Sequence, residues 1–169
     1  MGRPIRVSAY RALVETIQER IPEIAITTDV IAGFPGEATT DFEGTQSLVK
    51  EVGFAGGHVF TYSPRPGTPA VNMEAQVPSR VAKARNAALR NVFKHTSKHY
   101  RDRFIDKRMS VLWEISDPTP NGKWTLSGLT DNYLRVHAEA DCDLWNTITV
   151  VRLTAQHPER PAFVGHIDG

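Results

Sequence analysis

The sequence predicts an α/β segment followed by a small all-β segment, joined by a long basic helix. Three observations lead to it. Residues 8–70 alternate helical and strand patterns, with glycine- and proline-rich turns after each strand pattern. From residue 109 the period changes to short β runs separated by turn residues. Between them lies a stretch with the periodicity of one amphipathic helix and a marked excess of positive charge. The corresponding divisions are 1–78, 79–106 and 107–169.

In chain order, 8–20 reads as a helix with Ser8 as N-cap, Leu13, Val14, Ile17 and Ile21 at helical spacing, and Pro22 as its stop. Residues 23–31 read as a near-continuous apolar strand of the kind covered on both faces in parallel sheets. The strand ends in the turn Gly33-Phe34-Pro35-Gly36. Taken alone this turn reads first as an ordinary βα turn and only second as a ligand-binding one.

A second helix is predicted over 40–52. Thr40 and Glu43 form a capping-box pattern, Phe42, Thr45, Leu48, Val49 and Val52 an inward stripe, and Gly53 the C′ residue. A second strand follows at 58–62. It leads into Ser63-Pro64-Arg65-Pro66-Gly67-Thr68-Pro69, where three prolines and a glycine exclude helix or strand interior. Both loops follow strands, so both are predicted on one edge of the sheet, where parallel α/β folds hold ligands.

The long helix is predicted from a Ser79 cap to about Phe104. Val81, Ala84, Ala88, Leu89, Val92, Phe93, Tyr100 and Phe104 form its apolar face. Lys83, Arg85, Arg90, Lys94, Lys98, Arg101 and Arg103 form its basic face. Residues 79–108 hold 10 Lys/Arg and 2 Asp/Glu, against 6 and 9 in 1–78 and 4 and 8 in 109–169. The overall charge of +1 conceals this asymmetry. It fits either a solvated helix face or a surface for a polyanion. Beyond it, strand patterns at 109–115, 124–129, 133–138, 148–153 and 162–167 predict a five-stranded β-barrel.

Several chemistries are excluded. The single cysteine, Cys142, permits no intramolecular disulfide and no cysteine-built metal site, and points to a reducing compartment. No apolar run approaches membrane-spanning length, so a soluble, cytoplasmic protein is expected. His95 and His99 have a metal-ligand spacing but lack a third ligand. The Gly33–Gly36 turn lacks the Lys-Ser/Thr of a phosphate loop. Asp29 and Glu37 flank that turn as candidate hydrogen-bond acceptors.

The segment Thr28-Asp29-Val30-Ile31-Ala32-Gly33-Phe34-Pro35-Gly36-Glu37 precedes Asp41-Phe42. It is followed by His58-Val59-Phe60 and by Tyr62-Ser63-Pro64-Arg65-Pro66-Gly67-Thr68-Pro69-Ala70. This series resembles the tRNA methylthiotransferases of the radical SAM superfamily. Met1-Gly2-Arg3-Pro4 resembles an internal segment of those enzymes. Residues 107–153, with Gly128-Leu129-Thr130-Asp131-Asn132-Tyr133 and Val150-Val151-Arg152-Leu153, resemble their TRAM domain.

The resemblance implies a partial, TIM-like radical SAM barrel and a TRAM-type β-barrel. It implies addition of a methylthio group to C2 of N6-threonylcarbamoyladenosine at position 37 of tRNA. The implied cofactors are S-adenosylmethionine and 4Fe-4S clusters, and the implied partners are tRNA and a missing N-terminal half. Ile31, Gly33, Phe60, Thr61, Tyr62 and Ser63 become candidates for binding S-adenosylmethionine. Because 109–169 is acidic, RNA contact is assigned first to Lys98, Arg101, Arg103, Lys107 and Arg108, and then to Tyr133, Arg135 and Arg152.

The chain departs from the family in having no Cys-x3-Cys-x2-Cys motif. No cluster can be held by cysteine ligation here. The chain alone is therefore expected to be inactive, with an unstable or self-associating α/β part. Two other readings are a non-enzymatic RNA-binding module and an α/β scaffold for a protein partner.

Overall fold

The computed structural model describes residues 6–167. The Met1–Pro4 resemblance lies outside them. The elements run α1 (Val7–Arg20), β1 (Thr27–Ala32), α2 (Thr39–Val52), β2 (Gly56–Thr61), a 3-10 turn (Pro69–Asn72), α3 (Ser79–Asp102), β3 (Arg108–Pro118), β4 (Trp124–Thr130), β5 (Arg135–Ala140), β6 (Ile148–Gln156) and β7 (Ala162–Ile167). The chain divides into two compact units between His99 and Tyr100, inside the last turns of α3.

In the first unit β1 and β2 pair in parallel, with Asp29 opposite His58, Val30 opposite Val59 and Ile31 opposite Phe60. Side chains alternate between the two faces of a strand. Val30, Ala32 and Val59 accordingly join a core with Val14, Val49, Val52, Phe54, Leu89 and Phe93. The other face carries the exposed Asp29, His58 and Phe60. The expected strand over 23–31 is thus shorter and covered on one face only. Helices pack against one side of these two strands, so the apolar residues 24–26 act before the strand, where Ile26 packs on the core.

Three helix signals are also corrected. Ser8 lies inside α1, whose N-cap is Arg6, and Leu13 and Ile21 are exposed while Tyr10 and Val14 turn inward. At α2 the N-cap is Ala38, and the Asp41 carboxylate, not Glu43, accepts its N–H at 2.9 Å. At α3 the Pro78 carbonyl accepts the first helical N–H groups, from Val81 and Ala82, which puts Ser79 inside the helix. The α2 stripe ending in buried Val49 and Val52 is as expected, as is Gly53 in a left-handed conformation (φ 65°).

The second unit is a closed barrel in the order β3-β4-β5-β7-β6, β6 pairing back with β3. Every pairing is antiparallel except β5 with β7. Each of the five strands overlaps its expected range, with β5 shifted from 133–138 to Arg135–Ala140 and β3 and β6 running on to Pro118 and Gln156. Trp113, Val111, Val136, Val151, Leu153 and Phe163 fill the interior. The Trp113 indole N–H donates to Thr149 Oγ1 at 2.8 Å, so its polar edge is satisfied in the core. Tyr133 is a correction: it sits in the β4–β5 turn at φ 62°, outside any strand.

His137, on β5, stacks edge-on with His157 at 6.1 Å. Burial, then His157, Arg160 and Arg135, lower its pKa below the ordinary value. The folded barrel therefore favours neutral His137, whereas the unfolded chain takes up a proton near pH 6.5. Barrel stability is expected to hold above that pH and decline below it. Comparing urea midpoints at pH 7.5 and 5.5 tests this, because His137→Gln should shrink the acid loss. An equal loss in both chains would refute it.

Candidate functional site

The carboxyl ends of β1 and β2 open into a groove of about 770 Å³. Ile31, Phe34, Phe60 and Met73 make its apolar wall, and Tyr62, Ser63, Arg65 and Thr68 supply polar groups. Two connections hold this end together. The Tyr62 N–H donates to the Ala32 carbonyl at 2.9 Å, continuing the β1–β2 ladder past its last pair. The Gly36 N–H donates to the Ala75 carbonyl at 2.9 Å, and the Gln76 amide donates to the carbonyls of Ala70 and Met73 at 3.1 and 2.9 Å, which pins the proline-rich loop.

The Phe34 and Tyr62 rings meet edge to face at 5.3 Å. Among the described residues the buried Tyr62 hydroxyl has no hydrogen-bond partner. A buried unpaired hydroxyl costs about 1–3 kcal/mol, so a ligand atom that pairs with it gains that much in its favour. The groove can bury a planar heteroaromatic ring and bind polar substituents around it.

Of the six sequence candidates, Ile31, Phe60, Thr61, Tyr62 and Ser63 come together at this groove. Gly33 does not line it. Gly33 adopts φ 76°, and a Cβ there would overlap the side chain of Ala82 on α3. Its N–H donates to Glu37 Oε2 at 2.7 Å. The same oxygen accepts Arg85 Nη1 at 2.8 Å, and Arg85 also donates to the Glu37 carbonyl at 2.8 Å. Both charged side chains are only 11% exposed, and the guanidinium lies 5.3 Å from the Phe42 ring centroid. Arg85 was expected on the solvated face of α3. It is instead half of a buried ion pair that clamps the turn to the helix.

Sequence reasoning did not name Phe34, Arg65, Thr68 or Met73. The first three stand in the two loops already read as ligand-facing. Met73 follows the 3-10 turn and carried no signal of its own.

The RNA candidates separate by environment. Lys98 is exposed, in the first unit. The others lie in the second unit. Arg101 is half-buried and donates to Gln156 Oε1 at 3.2 Å, and burial lowers its pKa. Arg103 lies 5.6 Å from the Tyr100 ring and Lys107 5.0 Å from the Phe104 ring, cation–π distances that fix both heads near the barrel end. Asn132 donates to the Tyr100 hydroxyl at 3.1 Å. This brings the turn of Tyr133, which is 80% exposed, to the same end. Arg108 stands opposite Arg152, and Arg152 pairs with Asp106 at 3.0 Å. Arg135 is committed to Glu114 at 2.6 Å.

Among the described residues no three His, Cys, Asp or Glu side chains form a metal-binding group. Cys142 is exposed. Among those residues, too, no helix is long and apolar enough to cross a membrane.

No protein-family model matches the chain. The chain is 40% identical over 137 residues (80% of it) to the threonylcarbamoyladenosine tRNA methylthiotransferase MtaB of Thermotoga maritima, covering 30% of that protein. It is 40% identical over 153 residues (90% of it) to the tRNA-2-methylthio-N(6)-dimethylallyladenosine synthase of Acetivibrio thermocellus, covering 32% of that protein. With the synthase of the same name from Staphylococcus aureus it shares 34% identity over 99% of its length, covering 33% of that protein. The chain thus spans about a third of the length of the curated relatives it matches.

Proposed function

We propose that this chain supplies the end of the radical SAM barrel and the TRAM-type barrel of a tRNA methylthiotransferase. The observation that carries this reading is the similarity along 80–99% of the chain to proteins named for that activity. The whole enzyme, on this reading, adds a methylthio group to C2 of N6-threonylcarbamoyladenosine at position 37 of tRNA. The Thermotoga relative is named for that nucleoside, while the two synthases are named for the dimethylallyl one at comparable identity. Nucleoside mass spectrometry of tRNA from cells lacking the gene decides between them. Loss of the methylthio-threonylcarbamoyl nucleoside alone is expected, and loss of the methylthio-dimethylallyl nucleoside alone would replace the substrate.

The groove fits the nucleoside end of S-adenosylmethionine. Ile31, Phe34 and Phe60 would bury the adenine, the orphaned Tyr62 hydroxyl would pair with a polar edge, and Ser63, Arg65 and Thr68 offer partners for ribose and carboxylate. When bound, S-adenosylmethionine supplies the methyl group and the family's radical chemistry. The residues present do not fit an iron–sulfur cluster, since one cysteine cannot provide its several thiolates.

Two results test this division. The unreactive analogue S-adenosylhomocysteine should bind the chain in calorimetry, and Phe60→Ala should weaken that binding about tenfold, the scale of one lost aromatic contact. The chain treated with iron and sulfide should retain no cluster and form no methylthio product. A cluster-containing, active preparation would overturn the second expectation. A second reading, an RNA-binding module without catalysis, is favoured by the single cysteine. It would gain if the chain bound tRNA but not the analogue.

A further inference from the structure

The first unit carries a polar pair that neither its core nor the groove uses. Asp29 of β1 and His58 of β2 stand opposite each other in register, on the open face of the two-stranded sheet. His58 Nδ1 lies 3.1 Å from Asp29 Oδ1. The two side chains are 82% (His58) and 71% (Asp29) exposed. An exposed pair of this kind adds little to stability. Val30 and Val59, on the opposite face, supply the packing that holds these strands. The pair is thus dispensable to the fold.

Its place ties it to the groove. Residues two apart on a strand share a face and lie about 7 Å from each other. Ile31 and Phe60, the next pair along this face, belong to the apolar wall of the groove. The Phe60 and His58 rings are 6.2 Å apart between centroids and inclined by 32°. A ligand seated on Ile31 and Phe60 meets Asp29 and His58 one step further along one continuous face.

The pair is directional. A carboxylate only accepts, so Nδ1 carries the hydrogen of the shared bond and donates it to Asp29. That bond orients the ring and leaves Nε2 as its remaining hydrogen-bonding atom. Among the described residues Nε2 has no partner. A substituent that covers the pair has to satisfy Nε2, because a buried polar atom left unpaired is costly. The threonylcarbamoyl arm of the nucleoside brings an amide N–H, a hydroxyl and a carboxylate. The dimethylallyl arm is hydrocarbon beyond the amine nitrogen that both share, and it would bury Nε2 without a partner.

We infer that the Asp29–His58 pair selects the threonylcarbamoyl arm: His58 Nε2 hydrogen-bonds the arm, and Asp29 is a positioning residue that holds the ring. The inference rests on the methylthiotransferase reading above and chooses between its two nucleosides.

The test expresses the complete gene containing this chain in cells that hold both nucleosides and lack methylthiotransferases of their own. Mass spectrometry of the tRNA reads both methylthio products, and immunoblotting normalises them to the amount of enzyme. The parent should form the threonylcarbamoyl product. His58→Leu should lower it about tenfold or more, the scale of one buried hydrogen bond. His58→Gln keeps a polar end and should retain clearly more than His58→Leu. Asp29→Asn, whose amide oxygen still accepts from Nδ1, should lose less than Asp29→Leu. If His58→Leu forms as much of this product as the parent, the inference is overturned and the methylthiotransferase reading stands. Equal losses in His58→Leu and His58→Gln would mean that the position serves shape alone, which overturns it as well. If the parent forms only the dimethylallyl product, or neither, the substrate reading above falls and this inference with it.

Discussion

An Arg85→Met chain is expected to lose about 3–5 kcal/mol of stability in its α/β unit, the usual cost of leaving one half of a buried ion pair without the other. Methionine keeps the length that packs near Phe42 but removes both hydrogen bonds to Glu37. The Glu37 carboxylate would then keep the Gly33 N–H as its remaining partner in a site that excludes most water. The pair itself contributes less than this penalty, because both charges had to be desolvated to form it. Glu37→Gln combined with Arg85→Met should therefore recover most of the loss, since a neutral amide can still accept from Gly33. The readout has to be chosen with care. All three tryptophans, 113, 124 and 145, lie in the barrel unit, so their fluorescence is blind to this event. Hydrogen exchange of the β1 and β2 amides reports it directly. A loss below about 1 kcal/mol in the single variant would mean that the ion pair is no more than a surface one.

This clamp shows which features were legible in the sequence and which were not. The barrel strands were legible because alternation of two is a local signal, and each buried row (Val111, Trp113; Val151, Leu153) repeats it. The groove was legible as two loops after two strands. Arg85 was not, because helical periodicity places it among Lys83 and Arg90, and only the tertiary partner Glu37 draws it inward. Ala82 and Ala84 are indistinguishable by propensity, yet Ala82 is buried and Ala84 exposed, because Gly33 approaches α3 at Ala82 alone. Leu13 and Ile21 satisfied the period of α1 and are exposed all the same. A period gives the width of a stripe, but the partners available in this unit decide how much of it is covered. Tyr133 was misread as strand because aromatic residues favour strands, while its φ of 62° belongs to the turn.

Gly33→Ala is expected to be the other large loss, and it separates two causes that coincide at one atom. The first is conformational. At φ 76° an L-residue pays about 1–2 kcal/mol that glycine does not. The second is steric. The new methyl overlaps Ala82, which is itself buried on α3, and overpacking of this kind costs about 1–3 kcal/mol. Together they give about 2–5 kcal/mol, enough to unfold a unit of ordinary marginal stability. Ala82→Gly in the same chain removes the clash with the Ala82 methyl and leaves a tight 3.0 Å approach to the Cα of residue 82, the conformational cost, and the smaller cost of glycine inside a helix, about 1 kcal/mol. The double variant should therefore be more stable than Gly33→Ala alone, a reversal that no purely conformational account allows. Hydrogen exchange in β1 and α2 reads the stability of both chains. Analogue binding reads the groove, since Phe34 next to Gly33 is one wall of it and the turn sets that wall's position. If the double variant is the less stable of the two, close approach is not the reason for glycine at 33, and backbone conformation alone accounts for it.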